Sequence, residues 1–128
     1  VKILLDTHAL LWWLFDDPQL SNAARKAIKD PENTVLVSSA SVWEIATKYR
    51  LGKLPEARAA AEDLPGLLRR GNMDVLPITL DHALAAGSLP GLHRDPFDRM
   101  LITQSQLEAI PIVTLDPAFS EFPIDTIW

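Results

Sequence analysis

No cysteine occurs among the 128 residues, so the chain has no disulfide framework and no thiolate chemistry. That absence fits a reducing cytoplasm. A cationic excess is missing too: 12 Lys and Arg stand against 17 Asp and Glu, a net charge of −5. This excludes a coat protein that holds nucleic acid by charge alone, but not an enzyme that reaches phosphates through metal ions. No apolar run approaches the about 20 residues that a membrane span needs. The longest, residues 9–15, has no basic segment before it and does not read as a signal peptide. Repeats, low-complexity tracts and linkers are also lacking. What remains is 48% hydrophobic, which is enough for one domain over residues 1–128 with a core of its own.

The positive signal begins at the first residues. Residues 2–5, KILL, form an apolar run too short for a helix and bounded by Asp6 and Thr7. Such a run reads as a strand buried on both faces, hence a central parallel strand. Further strands are expected at 34–37, 73–76 and 112–115, with a short edge strand at 124–128. Helices are expected at 8–16, 22–29 (capped by Ser21), 42–51, 56–70 with a break at Pro65-Gly66, 79–88 and 97–109. The alternation predicts an α/β fold of three layers, a mainly parallel sheet of four or five strands flanked by helices with right-handed crossovers. The helix at 8–16 is apolar on every side, through Leu10, Leu11, Trp12, Trp13, Leu14 and Phe15. A helix of that kind is fully buried or covered by a partner, so part of it is expected to be an interface.

Four carboxylates stand at strand-to-helix junctions or in the first turn of the next helix: Asp6, Glu44, Asp98 and Asp116. Each has a structural explanation. Ser41-Val42-Trp43-Glu44 spells a capping box, Asp95-Pro96-Phe97-Asp98 repeats it with Asp95 as N-cap, and Asp6 and Asp116 read as N-caps. Glu44, opposite the apolar arc of its helix, can also pair with Lys48. Two features favour a site. Asp98 shares a helical stripe with Leu101, Ile102, Ser105 and Ala109, so it points inward, where an unpaired charge is costly. All four acids, moreover, fall at one sheet edge, around the place where strand order reverses and ligands bind in open α/β folds. Gathered carboxylates repel unless a cation holds them together. Oxygen donors without cysteine point to a hard ion, Mg2+ or Mn2+, able to serve an in-line phosphoryl displacement. His8 at a junction, His82 on a helix and His93 in a loop show no catalytic spacing and read as core or solvated histidines.

The motifs LLDTHALLW at 4–12, SSASVWEIATKYRLGKL at 38–54, HRDPFDRMLITQS at 93–105 and IVTLDPAF at 112–119, in this order, carry a resemblance. The chain resembles PIN domains, and among them the VapC-type ribonuclease toxins of bacterial toxin–antitoxin pairs, over nearly its whole length. The resemblance implies that Asp6, Glu44 and Asp98 are metal-binding acids. Asp116 matches a fourth polar position that is often Asp and can be Asn. It further implies metal-dependent endonucleolytic cleavage of RNA, homodimerisation and neutralisation by a cognate VapB-type antitoxin. The segment 52–72 carries no such signature. A second reading of the same residues is a PIN-like module that acts by binding RNA or protein with little turnover. A receiver domain is excluded because a single acid follows the first strand and the third strand ends Leu76-Pro77. A haloacid-dehalogenase-type phosphatase is excluded because position 8 is His, where D-x-D is needed.

Overall fold

A computed structural model of the chain describes residues 1–54, 57–91 and 95–128. Pro55, Glu56 and His93, on which parts of the sequence reading fell, lie outside the described residues. The elements run β1 (Lys2–Leu5), α1 (Thr7–Leu14), α2 (Asn22–Lys29), β2 (Thr34–Ser38), α3 (Ser39–Arg50), α4 (Arg58–Arg70) and β3 (Asp74–Leu76). They continue with α5 (Leu80–Ser88), α6 (Pro96–Glu108), β4 (Ile112–Val113), a 3-10 turn (Pro117–Glu121) and β5 (Thr126–Ile127). The five strands pair in parallel in the order β3-β2-β1-β4-β5.

Register explains why β1 is apolar throughout. Leu4 lies between Leu36 and Ile112, and Leu5 between Val37 and Val113. Side chains alternate across a strand, so each such row belongs to one face of the sheet. Leu4, Leu36 and Ile112 pack under α6 with Leu101, Ile102 and Phe119. Ile3, Leu5, Val37 and Val113 pack on the other face with Leu10 and Leu11 of α1, Ala24 and Ile28 of α2, and Leu64 and Leu68 of α4. Ile3, Leu4 and Leu5 are completely buried. Truncating any of them to Ala removes about 2–5 kcal/mol of stability.

The chain lays β2 and β3 on one side of β1, then crosses to lay β4 and β5 on the other. The order therefore reverses between β1 and β4, and the crevice at their carboxyl ends is where Asp6 and Asp116 emerge.

Local corrections to the sequence reading have physical causes. Helix α3 begins at Ser39, not 42: Ser38 is its N-cap, its side chain accepting from the Ala40 amide at 3.0 Å. Ser41 thus sits inside the first turn, and the Ser41–Glu44 capping box does not form. In α4 the irregular backbone falls at Asp63 (φ −147°, ψ 51°), two residues ahead of Pro65. Proline cannot donate and crowds the preceding turn, and the Asp63 carboxylate recovers one orphan donor by accepting from the Gly66 amide at 3.2 Å. Helix α1 does not leave all its aromatics for a partner. Trp128, just beyond β5, meets Trp12 edge-on at 5.7 Å between ring centroids, and Trp12 and Trp13 are both half-buried within the chain. Of the three aromatic residues on this segment, only Phe15 is exposed, at 41%.

Candidate active site

The pairing Leu5↔Val113 places the next residue of each strand side by side, which brings Asp6 to Thr114. The Asp6 amide donates to the Val113 carbonyl at 3.1 Å. Its carboxylate then does two jobs. One oxygen caps α1 by accepting from the Ala9 amide at 2.8 Å, and the other accepts from the Thr114 hydroxyl at 2.6 Å. Asp6 is thus an N-cap and at the same time a buried carboxylate at the end of the central strand. It is only 6% exposed. Burial pushes its carboxyl above the ordinary carboxylate range, outweighing the hydrogen bonds from Thr114 and Ala9 and the charge of His8; the charge of Asp116 adds to the rise. A carboxylate held in this way gains from any cation brought beside it.

Asp116 is exposed at the rim, caps the 3-10 turn by accepting from the Ala118 amide at 2.9 Å, and donates its own amide to the Thr114 hydroxyl at 3.0 Å. Thr114 therefore ties the two acids into one unit. Asp6, His8, Trp12, Leu115, Asp116 and Pro117 line a depression of about 300 Å3.

Glu44 is the larger surprise. It is 4% exposed, although the sequence placed it opposite the apolar arc of its helix. One oxygen accepts from the Thr7 hydroxyl at 2.6 Å, and the other accepts from the Lys48 ammonium one turn along α3. Ser41 lies 3.0 Å from Thr7. A hydroxyl has one proton, so with Thr7 donating to the carboxylate, Ser41 donates to Thr7. Thr7, the residue after Asp6, thereby links the Asp6 corner to the Glu44 corner.

Asp98 is half-buried in the first turn of α6, behind Leu101 and Ile102, which are fully buried. Asp95 caps that helix, accepting from the amides of Phe97 at 2.9 Å and Asp98 at 3.2 Å. Asp95 and Asp98 both direct their charge at Lys48. Partial burial lowers the Lys48 ammonium, but the hydrogen bond and charge of Glu44, with the charges of Asp95 and Asp98, outweigh it and hold Lys48 above its ordinary value.

The structure thus brings Asp6 to Asp116 through Thr114, and Glu44 to the start of α6 through Lys48, with Thr7 between. Among the described residues no three acidic or histidine side chains stand close enough together to cage an ion by themselves. The donor set is all oxygen, and one of its members, Asp6, is a buried carboxylate that accepts from a neutral amide and a neutral hydroxyl. Both facts fit a hard divalent cation. His82, by contrast, belongs to the core. It is 1% exposed, accepts from the Thr79 amide at 3.0 Å in a capping box, and meets Glu108 at 2.8 Å.

A family model for the PIN domain matches residues 3–124. The chain belongs to the PIN domain family. Over 65 residues this PIN domain is 43% identical to Ribonuclease VapC16 of Mycobacterium tuberculosis. The match covers 51% of this chain and 45% of the relative, a little under half of the relative's length. Among solved structures, VapBC2 from Rickettsia felis, bound to a DNA fragment from its promoter, superposes with a TM-score of 0.73 at 16% identity. That alignment covers 98% of this chain and 97% of the other. The sarcin–ricin loop cleaving toxin VapC20 of Mycobacterium tuberculosis gives 0.66 at 18% identity, covering 95% of each chain. At those identities the likeness is one of fold: a five-stranded parallel sheet between helices.

Sequence reasoning missed Thr7, Ser41 and Thr114. The available signal was position: each is a hydroxyl within three residues of a candidate acid, at a strand end or in a first helical turn.

Proposed function

We propose that this PIN domain, a single domain over residues 1–128, is a metal-dependent endoribonuclease, the toxin of a toxin–antitoxin pair. The observation that carries the reading is the buried Asp6 at the β1–β4 switch point, joined through the Thr114 hydroxyl to Asp116 on one side and followed on the other by Thr7, whose hydroxyl holds Glu44. The names of the relatives support it: one is a ribonuclease, one a toxin that cleaves the sarcin–ricin loop, and one a VapBC assembly.

In this reading Asp6, Glu44, Asp98 and Asp116 hold Mg2+ or Mn2+. When bound, such an ion supplies a nucleophile at neutral pH and stabilises charge on the phosphoryl oxygens. The chain's own residues do the rest. Thr114 fixes the Asp6 carboxylate against the end of β4, and Thr7 fixes that of Glu44. Asp116, exposed at the rim, meets the substrate side of the site. Next in sequence to Glu44 and Asp98, the 60% exposed Trp43 stands edge-on to Phe97 at 4.9 Å between ring centroids, a surface on which an unstacked RNA base can lie.

The partners in this reading are RNA, a VapB-type antitoxin and a second copy of the chain, in the cytoplasm. The outer face of α5 suits a second copy: Leu80 and Leu84 are 77% and 64% exposed, with Val75, Ile78 and Leu107 also exposed. No helix among the described residues is long and apolar enough to cross a membrane.

The test is cleavage of RNA by purified protein, with 5′ ends sequenced. Cutting is expected with Mg2+ or Mn2+, to stop in EDTA, and to fall by orders of magnitude in Asp98→Asn, which keeps the shape but removes a charge. Undiminished cutting in EDTA would refute the metal assignment. Specific RNA binding without cutting would favour the binding-module reading.

A further inference from the structure

Both oxygens of Glu44 are engaged, and the two partners differ in kind. Thr7 is neutral, buried and fixed at the start of α1. Lys48 is a cation on a flexible stem, half-buried, reaching Glu44 from one turn along the same helix. The charges of Asp95 and Asp98 also fall on that ammonium. Lys48 thus stands among carboxylates of which two, Glu44 and Asp98, are assigned to the ion. A lysine ammonium is a compact point charge that can leave a carboxylate by rotating its stem. A divalent cation offers the same carboxylate a larger charge, and the two cations repel each other.

We propose that Lys48 is a positioning residue that occupies Glu44 in the ion-free protein and must be displaced before a divalent cation is held there. The ammonium neutralises the Glu44 corner while no ion is present, and so sets the threshold concentration at which one binds. The inference rests on the metal-site reading of the acids. It makes the Thr7 hydroxyl the fixed point of Glu44 in both states, and the Lys48 stem the moving part.

The experiment compares wild type with Lys48→Met, Lys48→Gln and Lys48→Arg, each freed of ions by dialysis against EDTA and then titrated with Mn2+ by calorimetry. Melting curves with and without Mn2+ are recorded beside each titration. Lys48→Met should melt below wild type without the ion, because Glu44, Asp95 and Asp98 lose their counter-charge. The same variant should bind Mn2+ roughly tenfold more tightly and show a larger Mn2+-induced rise in melting temperature. Lys48→Gln keeps a donor for Glu44 without the charge, so it stays folded if Lys48→Met does not, and should also bind more tightly. Lys48→Arg should stay near wild type. If Met and Gln variants bind Mn2+ no more tightly than wild type, while wild type binds it, the placeholder role is refuted and the metal site stands. If neither wild type nor any variant binds Mn2+, the metal-site reading itself fails and takes this inference with it.

Discussion

Removing one hydroxyl, in Thr7→Val, tests whether the link between the two halves of the site has the energy its geometry implies. Valine has the shape of threonine without the oxygen, so packing at the start of α1 is kept. What is lost is a 2.6 Å hydrogen bond to a carboxylate that is 4% exposed. Bonds to charged groups contribute about 1.5–3 kcal/mol net, and the buried oxygen left behind has no water to replace the donor. Ser41 can turn its proton to a helix carbonyl, so its loss adds little. For a chain of this size each kcal/mol moves the melting temperature by roughly 3–6 °C, which predicts a fall of roughly 5–18 °C. Thr7→Ser keeps the oxygen and should lose much less. In a Glu44→Gln background the acceptor is neutral, and the cost of Thr7→Val should shrink to about 0.5–1.5 kcal/mol. The assay is a set of thermal melts in EDTA on the four variants and wild type. A Thr7→Val protein melting within about 2 °C of wild type would refute the reasoning, and so would an equal cost in both backgrounds.

Two further expectations follow from the same corner of the fold. Burial raises the Asp6 carboxyl, so the folded state holds its proton more firmly than the unfolded chain does. The stability this contributes is present below the unfolded value and is lost as pH rises through the raised folded value. Asn caps a helix as well as Asp and has no charge to bury, so the advantage of Asp6→Asn over wild type in EDTA should widen between strong acid and neutrality. Urea melts across that range that show a constant or narrowing gap would contradict the burial argument. Trp128→Ala should uncover Trp12 and remove an edge-on aromatic contact. A loss of about 2 kcal/mol in urea unfolding is expected, and one below about 0.5 kcal/mol would show that Trp128 does not cover α1.

Much of this protein was legible in its residues because the signals are local. An apolar tetrapeptide ended by Asp6-Thr7 is a buried strand whatever else the chain does. Asp95-Pro96 and Ser21 mark helix starts through their own backbone chemistry, and both appear where expected. Parallel topology followed from alternation, and the position of the acids from where strands give way to helices. The sequence alone therefore determined the class of fold and which edge of the sheet to examine. Tertiary structure decided the partners. The Asp6–Thr114 bond joins residues 108 apart and exists only because β4 pairs with β1 in one register. Ser38 displaced Ser41 as the cap of α3, which turned Ser41 and Glu44 inward to meet Thr7. Trp128 reached Trp12 only through the last strand, so an apolar helix of which part was expected at an interface has Trp12 and Trp13 half-buried by its own chain. Periodicity reports which face of an element is apolar; only packing determines what that face, and the polar groups beside it, will touch.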